Sequence, residues 1–331
     1  MPDIAAVTDW STTMSVHAQS TFLQIPQTSE PVKKPKGLGI HRTGHVTLFS
    51  PDPAASADFA VRHLGFVHAG HDDDGRHYLA GHGPDAYSLV YAPGEKGLQA
   101  ISYIVTDAEA LEEAAAALAK AGVAVTRDDR TSRFRQGPSI RFQTPAGHPI
   151  ELITGLAPDV PVAASTRRPT AVPAPIASDH VVMRTVDMDA EIAYASTTLG
   201  LMESSRIQLP DNSPLMAFFR ANKLYHCLAL ARADVNGLHH VQFTVKDGPA
   251  VLEAHEAMTR NDEVEILWGP VRHGPGHNVA IYFRDHVGHI MEFSSEEETI
   301  LDDENYSPQR WSGGDHRSMD EWGTFPPESF M

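Results

Sequence analysis

Cysteine is all but absent from this chain. Cys227 stands alone, so no intrachain disulfide can form and packing must hold the fold. A lone thiol suits a reducing compartment, and a cytoplasmic location is expected from it. Long apolar runs are missing too. No stretch approaches the roughly 18 apolar residues that a spanning helix needs, so no transmembrane helix is expected. The start, Met1-Pro2-Asp3-Ile4-Ala5-Ala6-Val7, has neither a basic n-region nor an apolar h-region, and no secretory signal is expected. Positive charge is scarce: 26 Lys and Arg face 43 Asp and Glu, for a net charge of −17. With no basic patch to displace counterions, neither nucleic acid nor an anionic membrane is an expected partner.

What remains is ordinary for a globular protein, with one excess. The 331 residues are enough for two cored domains, at 41% apolar and 21% charged. The excess is histidine, at 19 residues, several of them inside strand-like runs. Residues 1–37 are polar, lack hydrophobic periodicity and read as an extended arm. From Leu38 the order is β-α-β-β-β, then β-α-β-β-β again. Asp52-Pro53 opens a helix that runs to about Arg62 and closes at Leu64-Gly65. Asp107 caps a second helix over 108–121, closed by Gly122, with a strand expected at Val123–Thr126. Residues 158–176, rich in proline, read as a linker.

After the linker the pattern repeats. His180-Val181-Val182-Met183 mirrors His45-Val46-Thr47-Leu48, and a Leu-Gly pair follows 19 residues later in each copy, at Leu64-Gly65 and Leu199-Gly200. Gly237-Leu238-His239-His240 mirrors Gly97-Leu98-Gln99-Ala100, and Gly288 to Glu292 mirrors Gly147 to Glu151. The chain is therefore expected to be α+β: two tandem modules, 38–157 and 177–298, each built from two βαβββ units. Residues 299–331 form an acidic tail whose Trp311, Trp322, Phe325 and Phe330 suggest packing, with disorder the alternative.

The copies differ at one decisive place. The second holds His180, His240 and Glu292; the first holds His45, Ala100 and Glu151. Two neutral imidazoles and a carboxylate are the ligand set of a divalent metal with open positions, as in non-haem Fe(II) sites. The first copy lacks the middle ligand and should hold no metal. Strand alternation sends His239 and His240 to opposite faces; register with Ala100 selects His240, and leaves His239 to packing or a surface contact.

The second module resembles the catalytic half of the two-domain type I extradiol ring-cleaving dioxygenases of the vicinal oxygen chelate superfamily, similar to catechol 2,3-dioxygenase. The resemblance is carried by Asp179-His180-Val181, by Leu238 to Phe243, by Gly269 to His273, and by Ile281 to Gly288 followed by Met291-Glu292-Phe293. His273, Tyr282 and Glu292 keep the family's intervals, and His226 stands 14 residues before His240. The turn Asp285-His286-Val287-Gly288 departs from the usual Asp-Pro-(Ser/Asp)-Gly. The resemblance covers about 38–311. It implies a funnel-like mixed sheet in each module with helices outside, and a mononuclear Fe(II), with Mn(II) compatible, on His180, His240 and Glu292. It implies O2-dependent cleavage of a catechol beside its diol, to a muconic semialdehyde-type product, and a homo-oligomer.

The resemblance also implies roles. His226 is the acid–base group, since imidazole exchanges protons near neutrality. By alternation His226 should share a face with Leu228 and Leu230, and Cys227 should point away. His273 and Tyr282 donate hydrogen bonds to the bound diol or its oxyanion. His277 and Asn278 stand near the expected substrate. Arg272 would hold a carboxylate substituent, or is a solvated loop residue. Rival readings are a 4-hydroxyphenylpyruvate dioxygenase-like or glyoxalase-like enzyme, and a non-catalytic small-molecule-binding module. Neither enzyme explains His226, His273 and Tyr282 together, and a binding module needs no complete triad.

Overall fold

Four helices begin in the same way. Asp52, Asp107, Asp187 and Asp247 each accept a hydrogen bond from the backbone N–H three residues on, which satisfies a donor that the first turn leaves open. Such a cap contributes about 1 kcal/mol. These helices are α1 (Pro53–His63), α2 (Ala108–Lys120), α3 (Met188–Thr197) and α4 (Gly248–Thr259). Gly65 and Gly200, just past the ends of α1 and α3, take φ of 74° and 75°, which explains the paired Leu-Gly signals.

The computed structural model describes residues 37–128, 134–156, 172–303 and 305–330. The arm over 1–36 and linker residues 158–171 lie outside the described residues. The first module comprises β1 (Ile40–Ser50), α1, β2 (Val67–His71), β3 (His77–Ala80), β4 (Leu89–Pro93), β5 (Gly97–Val105), α2, β6 (Thr126–Asp128), β7 (Ser139–Gln143) and β8 (Pro149–Ile153). The second comprises β9 (Val181–Thr185), α3, β10 (Met202–Gln208), β11 (Pro214–Arg220), β12 (Leu228–Arg232), β13 (Gly237–Thr244), α4, β14 (Ile266–Arg272), β15 (Val279–Arg284) and β16 (Ile290–Ser295). Each half of each module is thus βαβββ.

Sheet order repeats the duplication. The first sheet runs β2-β3-β4-β1-β5-β8-β7-β6, and the second runs β14-β15-β16-β13-β9-β12-β11-β10. The second gains one further strand: β17 (Gln309–Ser312) of the tail pairs parallel with β10. Pairing of the unit-joining strands is conserved in register, with Thr47 opposite Ala100 as Val182 is opposite His240. One strand differs from expectation. Val123 donates its N–H to the Leu118 carbonyl and so completes the end of α2, which delays β6 to Thr126.

The helix-side core is continuous across both modules. Phe66 and Phe243 meet edge-on with centroids 5.0 Å apart. Tyr91 donates to Asp285 Oδ2 at 2.8 Å, and the His148 Nε2 lies 3.1 Å from Thr185 Oγ1. Burial pushes the His148 imidazole down from 6.5 to about 4. The folded state therefore binds fewer protons than the unfolded chain between those values, and stability falls as pH falls through that window. Urea unfolding at pH 7, 6 and 5 should show this group contributing up to about 1.4 kcal/mol per pH unit, with a shallower dependence for His148→Gln. An unchanged slope in that variant would show the assignment to be wrong.

Candidate metal centre

His180 lies one residue before β9, but the ladder already holds it, because its carbonyl accepts the Gln242 N–H at 3.1 Å. His240 comes from β13 and Glu292 from β16, neighbours in the sheet. Nε2 of His180 is 3.2 Å and Nε2 of His240 is 3.0 Å from Glu292 Oε2. All three side chains are buried. Burial opposes ionisation of Glu292, but the two adjoining imidazoles outweigh it and hold the carboxyl well below its usual range. Burial, then the facing His226 ring, lowers His180 to about 4. An anionic carboxylate and neutral imidazoles converging on one point fit a divalent cation such as Fe(II) or Mn(II).

The other oxygen of Glu292 accepts from Asn278 Nδ2 at 3.2 Å. Tyr282 is the cross-strand partner of Glu292, and burial first, then that carboxylate, keeps its phenol protonated far above 10. The Tyr282 hydroxyl lies 2.7 Å from His273 Nε2, and His273 Nδ1 lies 2.6 Å from the Met319 carbonyl. Across the site, the His226 ring faces His180 with centroids 3.7 Å apart. Glu297 Oε1 accepts the His226 backbone N–H at 3.1 Å and stands 2.5 Å from its Nδ1. His180, His226 and Glu297 form a second cluster within metal-binding distance, but it shares His180 and its carboxylate is the less buried.

These groups line a cavity of about 360 Å³ whose walls are mostly apolar, including Val182, Ile207, Met216, Phe218 and Trp268. Seven residues picked out from the sequence meet there: His180, His226, His240, His273, Asn278, Tyr282 and Glu292. Two do not. Arg272 turns out to pair with Glu296 at 2.6 Å and donates to the His277 carbonyl. His277, at φ 53°, is directed to Glu321. β14 ends at Arg272, and the left-handed turn after it carries both side chains outward.

Two expectations from alternation are also corrected. His239 and His240 both line the cavity, because β13 has a bulge between Leu238 and His240 that breaks the period of two. His226 does not share a face with Leu228 and Leu230. Those leucines join Cys227 in the helix-side core, since the chain bends at Cys227 before β12 begins. Glu297, Met319 and Phe330 were not picked out as site residues. Glu297 sat in an acidic run, and the other two in the tail, where the aromatic residues were the available signal.

The first module shows the same frame closed upon itself. Ser102 donates to Glu151 Oε2 at 2.6 Å and lies 3.0 Å from His45 Nε2. Arg141, opposite Glu151 as Tyr282 is opposite Glu292, donates Nε to Oε1 at 2.9 Å. A guanidinium thus stands where the second module places the Tyr282 phenol beside its carboxylate.

Residues 42–152 and 177–293 match the family model described as "Glyoxalase/Bleomycin resistance protein/Dioxygenase superfamily". The chain belongs to this superfamily. It is 26% identical over 267 residues to the metapyrocatechase of Pseudomonas sp. (strain CF600), covering 77% of this chain and 85% of that protein. It is 24% identical over 300 residues to an iron-dependent extradiol dioxygenase of Rhodococcus jostii (strain RHA1), covering 86% and 97%. Its fold matches the crystal structure of homoprotocatechuate 2,3-dioxygenase from Arthrobacter globiformis with a TM-score of 0.80 at 23% identity, over 91% of this chain and 93% of that one.

The two carboxylates should respond differently to neutralisation. Glu292→Gln is expected to lower metal content by more than about tenfold in anaerobically purified protein, whereas Glu151→Gln should leave it at the wild-type level. Metal loss in Glu151→Gln with the fold intact would contradict the assignment.

Proposed function

We propose that this protein is an extradiol ring-cleaving dioxygenase that opens a catechol-type diol with O2 at a mononuclear Fe(II), Mn(II) fitting the same donors. The observation that carries the reading is the buried triad facing one cavity in which His226 and the His273–Tyr282 pair stand opposite each other. His180, His240 and Glu292 would hold the metal, with the cavity beside them for the diol and O2. When bound, the iron supplies the redox chemistry that joins the two reactants.

The chain's own residues handle position and protons. His226, oriented by Glu297, accepts a diol proton and returns one as the ring opens. Tyr282 stays protonated and donates its O–H to Nε2 of His273, whose Nδ1–H is held by the Met319 carbonyl. Turned to a catecholate oxygen when the diol binds, that O–H would stabilise developing negative charge in a dry site. The Asn278 amide is spent on Glu292 and so keeps the ligand carboxylate oriented rather than reading substrate. With Arg272 turned away and most of the wall apolar, including Val182, Ile207, Phe218 and Trp268, the cavity favours an alkyl or aryl substituent on the diol, although Arg184 and Arg232 line it too. Each buried CH2 contributes about 0.8 kcal/mol.

The module limits 38–157 and 177–298 fit this division into a silent and a catalytic half. Among the described residues no helix is long and apolar enough to cross a membrane. We read the protein as a cytoplasmic homo-oligomer, the location supported by the single cysteine.

O2 uptake by the iron-loaded protein over catechol, alkylcatechols, 2,3-dihydroxybiphenyl and carboxylated catechols tests the activity. Yellow products are expected, with kcat/KM at least about tenfold higher for the apolar members. Silence across the whole panel would sink the dioxygenase reading. His226→Phe should keep metal and substrate yet lose about 100-fold or more in turnover, and unaltered turnover would remove its acid–base role.

A further inference from the structure

The bulge in β13 leaves His239 between a metal ligand and the end of the tail. Its Nδ1 lies 2.6 Å from Nδ1 of His240. The ring of the same imidazole meets the Phe330 ring edge-on with centroids 4.8 Å apart, and both line the cavity. Phe330 is 5% exposed, packed against Tyr282 and Trp268 at 4.6 and 5.2 Å, and its N–H bonds the Pro327 carbonyl.

Two ring nitrogens at this separation share one proton, so one must donate and the other accept. His240 presents Nε2 to the Glu292 carboxylate and to the metal position. With that lone pair used by a metal, the His240 proton resides on Nδ1 and is donated to His239. His239 then carries its own proton on Nε2, and its ring is held edge-on against Phe330. Each member fixes the tautomer and ring angle of the next.

We propose that His239 and the tail end at Phe330 form a positioning relay for the metal ligand His240, so that the tail which closes the cavity also sets a ligand. The proposal rests on the metal centre described above. The tail reaches the site a second time, through the Met319 carbonyl at His273 Nδ1. Residues 319–324 are anchored for this task. Asp320 accepts the N–H groups of Arg272, Trp322 and Thr324, and Trp268 Nε1 donates to Thr324 Oγ1. Outer hydrogen-bond partners of metal-bound histidines typically change metal affinity about 10–100-fold when removed.

The test uses the full-length protein, stripped of metal and titrated anaerobically with Co(II), whose visible absorption reports the ligand set and needs no catechol. His239→Leu should weaken Co(II) binding about 10–100-fold and alter the spectrum, with circular dichroism and Tm unchanged. His239→Gln, whose amide oxygen can accept from His240, should restore both. Phe330→Gly should weaken binding in the parent chain but add nothing in the His239→Leu background, where the relay is already broken. Parent-like affinity and spectrum in His239→Leu would overturn the proposal, as would equal losses in the Leu and Gln variants. A parent chain that binds no Co(II) overturns the metal centre itself, and the relay with it.

Discussion

A carboxylate buried among apolar strands is costly unless something stands ready to compensate its charge. Glu292 and its counterpart Glu151 are 1% and 0% exposed, so each module had to solve that problem at the same point of its sheet. The first solves it internally, with the Arg141 guanidinium on one oxygen and the Ser102 hydroxyl on the other. The second gives Glu292 two imidazoles, an amide and a protonated phenol, and keeps a cavity in front of them. One buried negative charge thus sits in a closed structural network in one copy and in a His–His–Glu cluster that could hold a metal ion in the other. The difference comes from Ala100 against His240 and Arg141 against Tyr282, within a register that the duplication preserved.

Around that charge the site is built in shells, and the outer one belongs to the tail. Glu297 follows directly from β16 and orients His226, while Met319 and Phe330 reach back over the cavity to His273 and His239. The proton positions follow as a chain of consequences. A ligand nitrogen without a proton forces the other nitrogen to carry one, and that proton needs an acceptor. On the proposed relay, the ring angle of His240 and the packing of the last aromatic residue are linked through the His239 imidazole.

Period and spacing carried much of this in the linear chain. The repeated Asp caps, the Leu-Gly helix ends and the His-to-Glu intervals come from interactions within a few residues, or from copying a whole module, and both leave a trace that can be counted. The triad was readable for that reason, as was its gap at Ala100. Alternation, by contrast, holds only while a strand is regular. The bulge at His239 and the bend at Cys227 each shift parity by one residue, and each reversed an expectation about which way a side chain points.

By itself, then, the sequence determined two α+β modules and the His–His–Glu spacing of one of them, because those properties reside in local caps, strand periods and duplicated spacing. Tertiary structure alone decided that Arg272 and His277 face outward, that His239 joins the site, and that the acidic aromatic tail forms a strand and roofs the cavity. These depend on where distant segments meet and on how a strand breaks its own regularity, and neither leaves a pattern among neighbouring residues.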